Sequence, residues 1–143
     1  MRKRILVVDD DADVAEPLRL ALSRFYDVDF VANGAEATTR FADARYDAVV
    51  LDLMMPVMDG VAFKRWLDAR QIAIPVLLVS GSDDLRERAE QMGVADHLAK
   101  PVDLGVLQER LGALLDRAAA RSAGTGNPVD AAPALAAQGS TSR

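Results

Sequence analysis

The chain has 143 residues, half of them hydrophobic and 27% charged, which suits one soluble globular domain with a real core and leaves little length for a second folded one. Its 22 acidic and 17 basic residues give a net charge of −5, and no Lys/Arg cluster exists beyond Arg2-Lys3-Arg4, so the sequence carries no nucleic-acid footprint and points to protein partners. With no cysteine and only His97 to supply an imidazole, disulfides and thiolate metal sites are excluded, and any bound metal is held by oxygen.

The start is too polar for a signal peptide and no apolar run approaches membrane-spanning length, so a cytoplasmic protein without membrane contact is expected. Ile5-Leu6-Val7-Val8 reads as a buried strand that exits into three consecutive acids, Asp9, Asp10 and Asp11. Asp11 suits the cap of a following helix, with Asp13 in its first turn at the positive end of the dipole. Val14, Leu18 and Leu20-Ala21-Leu22 recur at helical spacing, Pro17 predicts a kink, and the helix is expected to end near Arg24. Asp27 to Val31 alternates polar and apolar before Asn33-Gly34, the pattern of a short strand near a sheet edge, and a helix over 35–44 with Ala37 and Phe41 inward follows.

Ala48-Val49-Val50-Leu51-Asp52 is an apolar run ending in one carboxylate, with Pro56 as a breaker. Such a run predicts a strand buried on both faces, as in a parallel sheet covered by helices. An ionised carboxylate at the exit of that strand needs a compensating partner. After the loop Met58-Asp59-Gly60, a helix over 61–69 carries Phe63, Trp66 and Leu67 on one side, most simply as core. Val76-Leu77-Leu78-Val79 is a further buried strand exiting into Ser80-Gly81-Ser82, where small residues let a ligand approach the backbone. Asp83 and Asp84 then read as the cap of a helix over 85–92 that Gly93 ends. A weak fifth strand over 95–99 meets Lys100-Pro101, and the last helix is expected over 104–120 with Leu107, Leu111, Leu114 and Leu115 on one face. From Ser122 to 143 the composition turns to Ala, Gly, Ser, Pro and Thr, which predicts a disordered tail or a linker after a domain over 1–121.

Five strand-helix units predict an α/β fold, a five-stranded parallel sheet with helices on both faces and all strand exits on one edge. That edge gathers Asp9, Asp10, Asp52, Ser80, Gly81 and Lys100. Clustered carboxylates repel one another, and a hard divalent cation with oxygen ligands, Mg²⁺ first among them, relieves the repulsion. A cation, an ammonium and a hydroxyl around one carboxylate make a site for a phosphoryl group.

Val7-Val8-Asp9-Asp10, Leu51-Asp52-Leu53-Met54-Met55-Pro56 with Gly60, Val79-Ser80-Gly81 and Lys100-Pro101 together resemble, in order and spacing, the receiver domain of two-component response regulators, over residues 1 to about 121. The resemblance implies the flavodoxin-like, CheY-like (βα)5 fold. It implies Asp52 as phosphoacceptor, with Asp9, Asp10, Asp52 and the Met54 backbone carbonyl as Mg²⁺ ligands. It also implies Ser80 and Lys100 as switch residues, Met54 and Gly81 as phosphoryl-binding backbone, and a cis Lys100-Pro101 bond. His97 is the third candidate switch residue, standing where the family usually has the Tyr or Phe that turns inward, so the family's aromatic switch is altered there, and Val102 replaces the usual Phe. The partners implied are a sensor histidine kinase or histidine phosphotransfer protein and a downstream protein target, reached through the last two helices and the strand between them. A homodimer on phosphorylation is a further expectation, with Asp96 and Arg110 in the places of an intersubunit ion pair. The expectation is a stand-alone signalling domain that self-catalyses only its own phosphorylation and dephosphorylation, with a receiver fragment of a larger regulator or hybrid kinase as the alternative. A phosphohydrolase of the haloacid dehalogenase type would carry a second acid two residues after its nucleophile, where this chain has Met54. A nucleotide-binding module would need a glycine-rich phosphate loop, which the sequence lacks.

Overall fold

The computed structural model describes residues 2–125. Two compact units divide the described residues, 2–112 and 113–125. The elements run β1 (Arg4–Val8), α1 (Ala12–Leu22), β2 (Asp27–Val31), α2 (Gly34–Asp43), β3 (Ala48–Asp52), α3 (Gly60–Ala69), β4 (Val76–Ser80), α4 (Leu85–Met92), β5 (Asp96–Ala99) and α5 (Leu104–Thr125). The five strands form one parallel sheet in the order β2-β1-β3-β4-β5. The order reverses direction between β1 and β3, and ligands of open α/β sheets bind at the carboxyl ends of the strands at such a point.

Strand pleating sorts the core into two layers. Leu6, Val49 and Val76 align across β1, β3 and β4, as do Val8, Leu51 and Leu78, and all six belong to one buried cluster with Ala37 of α2, Phe63 and Leu67 of α3, and Leu85 and Ala89 of α4. Their neighbours Ile5, Val7, Val50, Leu77 and Val79 point the other way and are equally buried, as are Leu18 and Leu22 of α1 and Leu107 and Leu111 of α5. Gln108 of α5 donates to the Ala21 carbonyl of α1 at 2.9 Å, joining the helices of that second layer.

Local chemistry explains the ends of the helices. Asp11, Asn33 and Asp59 each accept a backbone N–H of the first turn, and Gly93 closes α4 at φ 68°. Three expectations change. Leu20 falls on the outer face of α1, 67% exposed, because it lies two residues from Leu18 and Leu22, which take the inward direction. Asp84 occupies the cap position of α4 without capping, since its carboxylate instead takes the Ser82 hydroxyl and the Arg88 guanidinium. In the second unit the described residues are helical through Thr125, so 122–125 continue α5 where a tail was expected; residues 126–143 lie outside the described residues.

Candidate functional site

Four of the five strand exits, those of β1, β3, β4 and β5, deliver groups to the same edge. Asp9 follows β1 and fixes its own loop by accepting the Asp11 N–H at 2.9 Å. Asp52 is the last residue of β3 and Ser80 the last of β4, while Lys100 follows β5, its N–H bonded to the Ser80 carbonyl at 3.0 Å. The Lys100 Nζ stands 3.0 Å from Asp9 and 3.5 Å from Asp52. Oxygens of Asp9, Asp10 and Asp52 lie within 4.8 Å of one another. Asp52 and Asp9 are buried and Asp10 is exposed, so the cluster has a wet side. All three donors are carboxylate oxygens, a set suited to a hard cation such as Mg²⁺.

The electrostatics record this crowding. Burial, followed by the charge of Asp9, pushes the Asp52 carboxyl up to about 6, against the opposing pull of Lys100 and of the backbone amides of Met54 and Leu53. Burial works against the charge of Lys100, but its hydrogen bond to Asp9 and the charges of Asp52 and Asp9 outweigh that and raise it.

The loop after β3 is held by close backbone contact. Gly60 donates its N–H to the Leu53 carbonyl at 2.9 Å, and a Cβ there would collide with the Asp52 carbonyl oxygen. Met54 follows Asp52 with its side chain largely exposed. Ser80 is buried and its Oγ accepts the Ser82 N–H at 3.3 Å. A Cβ on Gly81 would meet only the Lys100 Cβ, at 4.0 Å, which leaves the backbone there open. The Lys100-Pro101 bond is cis. Beside it, Asp11, Val14, Pro17, Leu18, Val102 and Leu104 help line a largely apolar cavity of about 520 Å³.

His97 is not at this cluster. It is half-buried on β5, in register with Leu78, and its N–H is held by the Asp96 carboxylate at 2.8 Å. Asp96 and Arg110 pair with each other within one chain at 2.9 and 3.0 Å. Sequence reasoning missed two features that fix the site: the fit of Gly60 under the end of β3, and the packing of Met58 against Gly34. The Asn33-Gly34 and Asp59-Gly60 pairs were the available signals.

A family model described as the response regulator receiver domain matches residues 5–112. The chain belongs to that family. This receiver domain is 40% identical over 139 residues to the response regulator MprA of Mycobacterium bovis, covering 95% of the chain and 57% of the relative. The chain therefore spans little more than half the length of that relative. Among solved structures it resembles the Francisella response regulator 1452 receiver domain, at 29% identity and TM-score 0.76 over 82% of this chain and 99% of that one. It also resembles a sensor protein from Polaromonas, at 33% identity and TM-score 0.72 over 82% and 98%. Receiver domains of response regulators are signalling domains that interact with histidine kinases. Among the described residues no helix is long and apolar enough to cross a membrane.

Proposed function

We propose that Asp52 is the phosphoacceptor of this receiver domain, taking a phosphoryl group from a phosphohistidine on a sensor kinase or histidine phosphotransfer protein in the cytoplasm. The observation that carries the reading is the buried Asp52 carboxylate with Lys100 Nζ at 3.5 Å and Asp9 and Asp10 clustered beside it. An Asp52 oxygen forms the new P–O bond as the donor's P–N bond breaks, with the bonding pair returning to the imidazole nitrogen. Mg²⁺, held by Asp9, Asp10, Asp52 and the Met54 carbonyl, would supply charge neutralisation for the phosphoryl oxygens. Lys100 adds a cation, the Ser80 hydroxyl a donor, and the Met54 and Gly81 backbone further donors. Slow hydrolysis of the acyl phosphate resets the domain.

The signal leaves through α4, β5 and α5, because Lys100 and Ser80 are joined backbone to backbone at the exits of β4 and β5. A downstream protein reads that face. Homodimerisation there on phosphorylation would require Asp96 and Arg110 to exchange their in-chain bond for one between copies. Intact-mass measurement after incubation with acetyl phosphate and Mg²⁺ tests the reading: one phosphoryl group adds to the wild type, and none adds to Asp52→Asn or in EDTA. Undiminished labelling of Asp52→Asn would refute it.

A further inference from the structure

The chain leaves β3 through Pro56, Val57 and Met58, and there it adopts a conformation that its own packing does not reward. Met58 donates its N–H to the Pro56 carbonyl at 2.7 Å, an i to i+2 bond, and Val57 between them has φ 68°. This is the rarer, strained sense of γ-turn, and a β-branched residue with positive φ is a genuine outlier. The surroundings impose it. Met58 accepts the Gly34 N–H at 2.9 Å, its side chain lies where a Cβ on Gly34 would come within 2.7 Å, and two residues on Gly60 is bonded to Leu53.

Strain of this kind persists where the structure over-determines it, and glycine or asparagine would relieve it. Valine gives nothing back within the chain, because it is 86% exposed. Met54, three residues earlier in the same loop, is 71% exposed. Two of the five large exposed hydrophobics among the described residues thus flank the exit that carries Asp52.

We propose that Val57, with Met54, forms an apolar rim that docks the protein phosphodonor, and that Val57 is a specificity-determining contact for that donor. The inference rests on Asp52 as phosphoacceptor and goes beyond it. Asp52 is only 5% exposed, so a phosphohistidine on a protein reaches it only if the surface around that histidine closes over the loops bordering the strand exits. One of those loops carries Val57. The donor surface that fits has an apolar side chain beside its phosphohistidine, facing the β3–α3 loop. A small donor such as phosphoramidate has no such surface and does not use the rim.

The test compares phosphoramidate with a protein donor, chosen as the fastest wild-type phosphorylator in a panel of ³²P-labelled autophosphorylated sensor-kinase cytoplasmic domains. Val57→Gly and Val57→Asn should lower kcat/KM for transfer from that kinase about tenfold, chiefly through KM, while phosphoramidate labelling stays unchanged and the melting midpoint rises. Val57→Met, which keeps an apolar side chain, should retain transfer. Unchanged kinase transfer in both polar and glycine variants would overturn the proposal, as would an equal loss with both donors or an effect confined to self-association in sedimentation. Failure of the phosphoacceptor reading is separately visible, because the wild type would then take no label from phosphoramidate.

Discussion

Lys100 holds Asp9 more closely than it holds Asp52, at 3.0 Å against 3.5 Å. The lysine therefore bridges the two buried carboxylates, and a group that binds both is placed to exchange Asp52 for a phosphoryl oxygen without leaving Asp9.

Removing that bridge leaves two buried carboxylates facing each other. Lys100→Ala should cost about 1–3 kcal/mol of stability at pH 7 in EDTA, below the full penalty of breaking a buried pair because the lysine is partly solvated. Chemical denaturation reads this. The same variant should still accept phosphate in part, yet lose the phosphorylation-induced NMR shifts at α4 and β5. Wild-type shifts in Lys100→Ala would remove the lysine from the switch.

Asp52 ties stability to pH in a direction opposite to that of an ordinary paired carboxylate. Its carboxyl is raised from 3.8 to about 6, so the folded chain holds a proton that the unfolded chain has already released. The contribution is fully present below the unfolded value, and stability declines as pH climbs through about 6. Without added metal, Asp52→Asn should therefore stabilise the fold by about 1–3 kcal/mol at pH 7, at 1.36 kcal/mol per pKa unit, and by little at pH 4. Equal gains at both pH values would show that ionisation is not the cause.

Sequence pattern was enough for most of the frame. The buried runs 48–52 and 76–80 have no polar face to misplace, and one strand-exit carboxylate with two more acids and a lysine at other exits identified the edge. The pattern was weaker wherever the decision was tertiary. Leu20 has the residue type of core and the wrong direction on α1, and only the sheet decides which direction is inward. Asp84 had two hydrogen-bonding partners of its own, Ser82 and Arg88, which diverted it from capping. Val57 could not be read at all, because nothing in a valine announces positive φ; the contacts of Met58 and Gly60 on either side impose it.

Two glycines at the site should respond oppositely to the same change. Gly60→Ala drives a methyl into the Asp52 carbonyl, with backbone on both sides and no flexible side chain to yield. It should destabilise by about 1–3 kcal/mol or more and slow phosphorylation by displacing Asp52. Gly81→Ala finds its nearest neighbour, the Lys100 Cβ, at 4.0 Å, so its melting midpoint should match wild type within error. Thermal melts and acetyl phosphate labelling of the two variants check this; a Gly60→Ala variant as stable as Gly81→Ala would mean that the loop after β3 yields more than its hydrogen bonds indicate.

His97 is the remaining departure from the family pattern at a position tied to switching. The structure sets it three residues before Lys100 on the edge strand β5, half-buried, with its N–H bonded to Asp96 and Asp96 bonded in turn to Arg110 of α5. On the proposed reading, a shift of Lys100 toward a phosphorylated Asp52 would pull on β5, and this chain of hydrogen bonds would carry the displacement to α5 whatever ring occupies position 97. An imidazole is smaller than a phenol, so its own reorientation adds less than a tyrosine would. Beryllofluoride with Mg²⁺ should accordingly shift the amides of His97 and Arg110 in the wild type, leave most of those shifts in His97→Ala, and lose them in Asp96→Ala. Partner binding should change less than about twofold in His97→Ala, within the spread of an exposed ion pair or surface contact. Loss of the α5 shifts in His97→Ala with Asp96 and Arg110 intact would instead make the ring itself the switch.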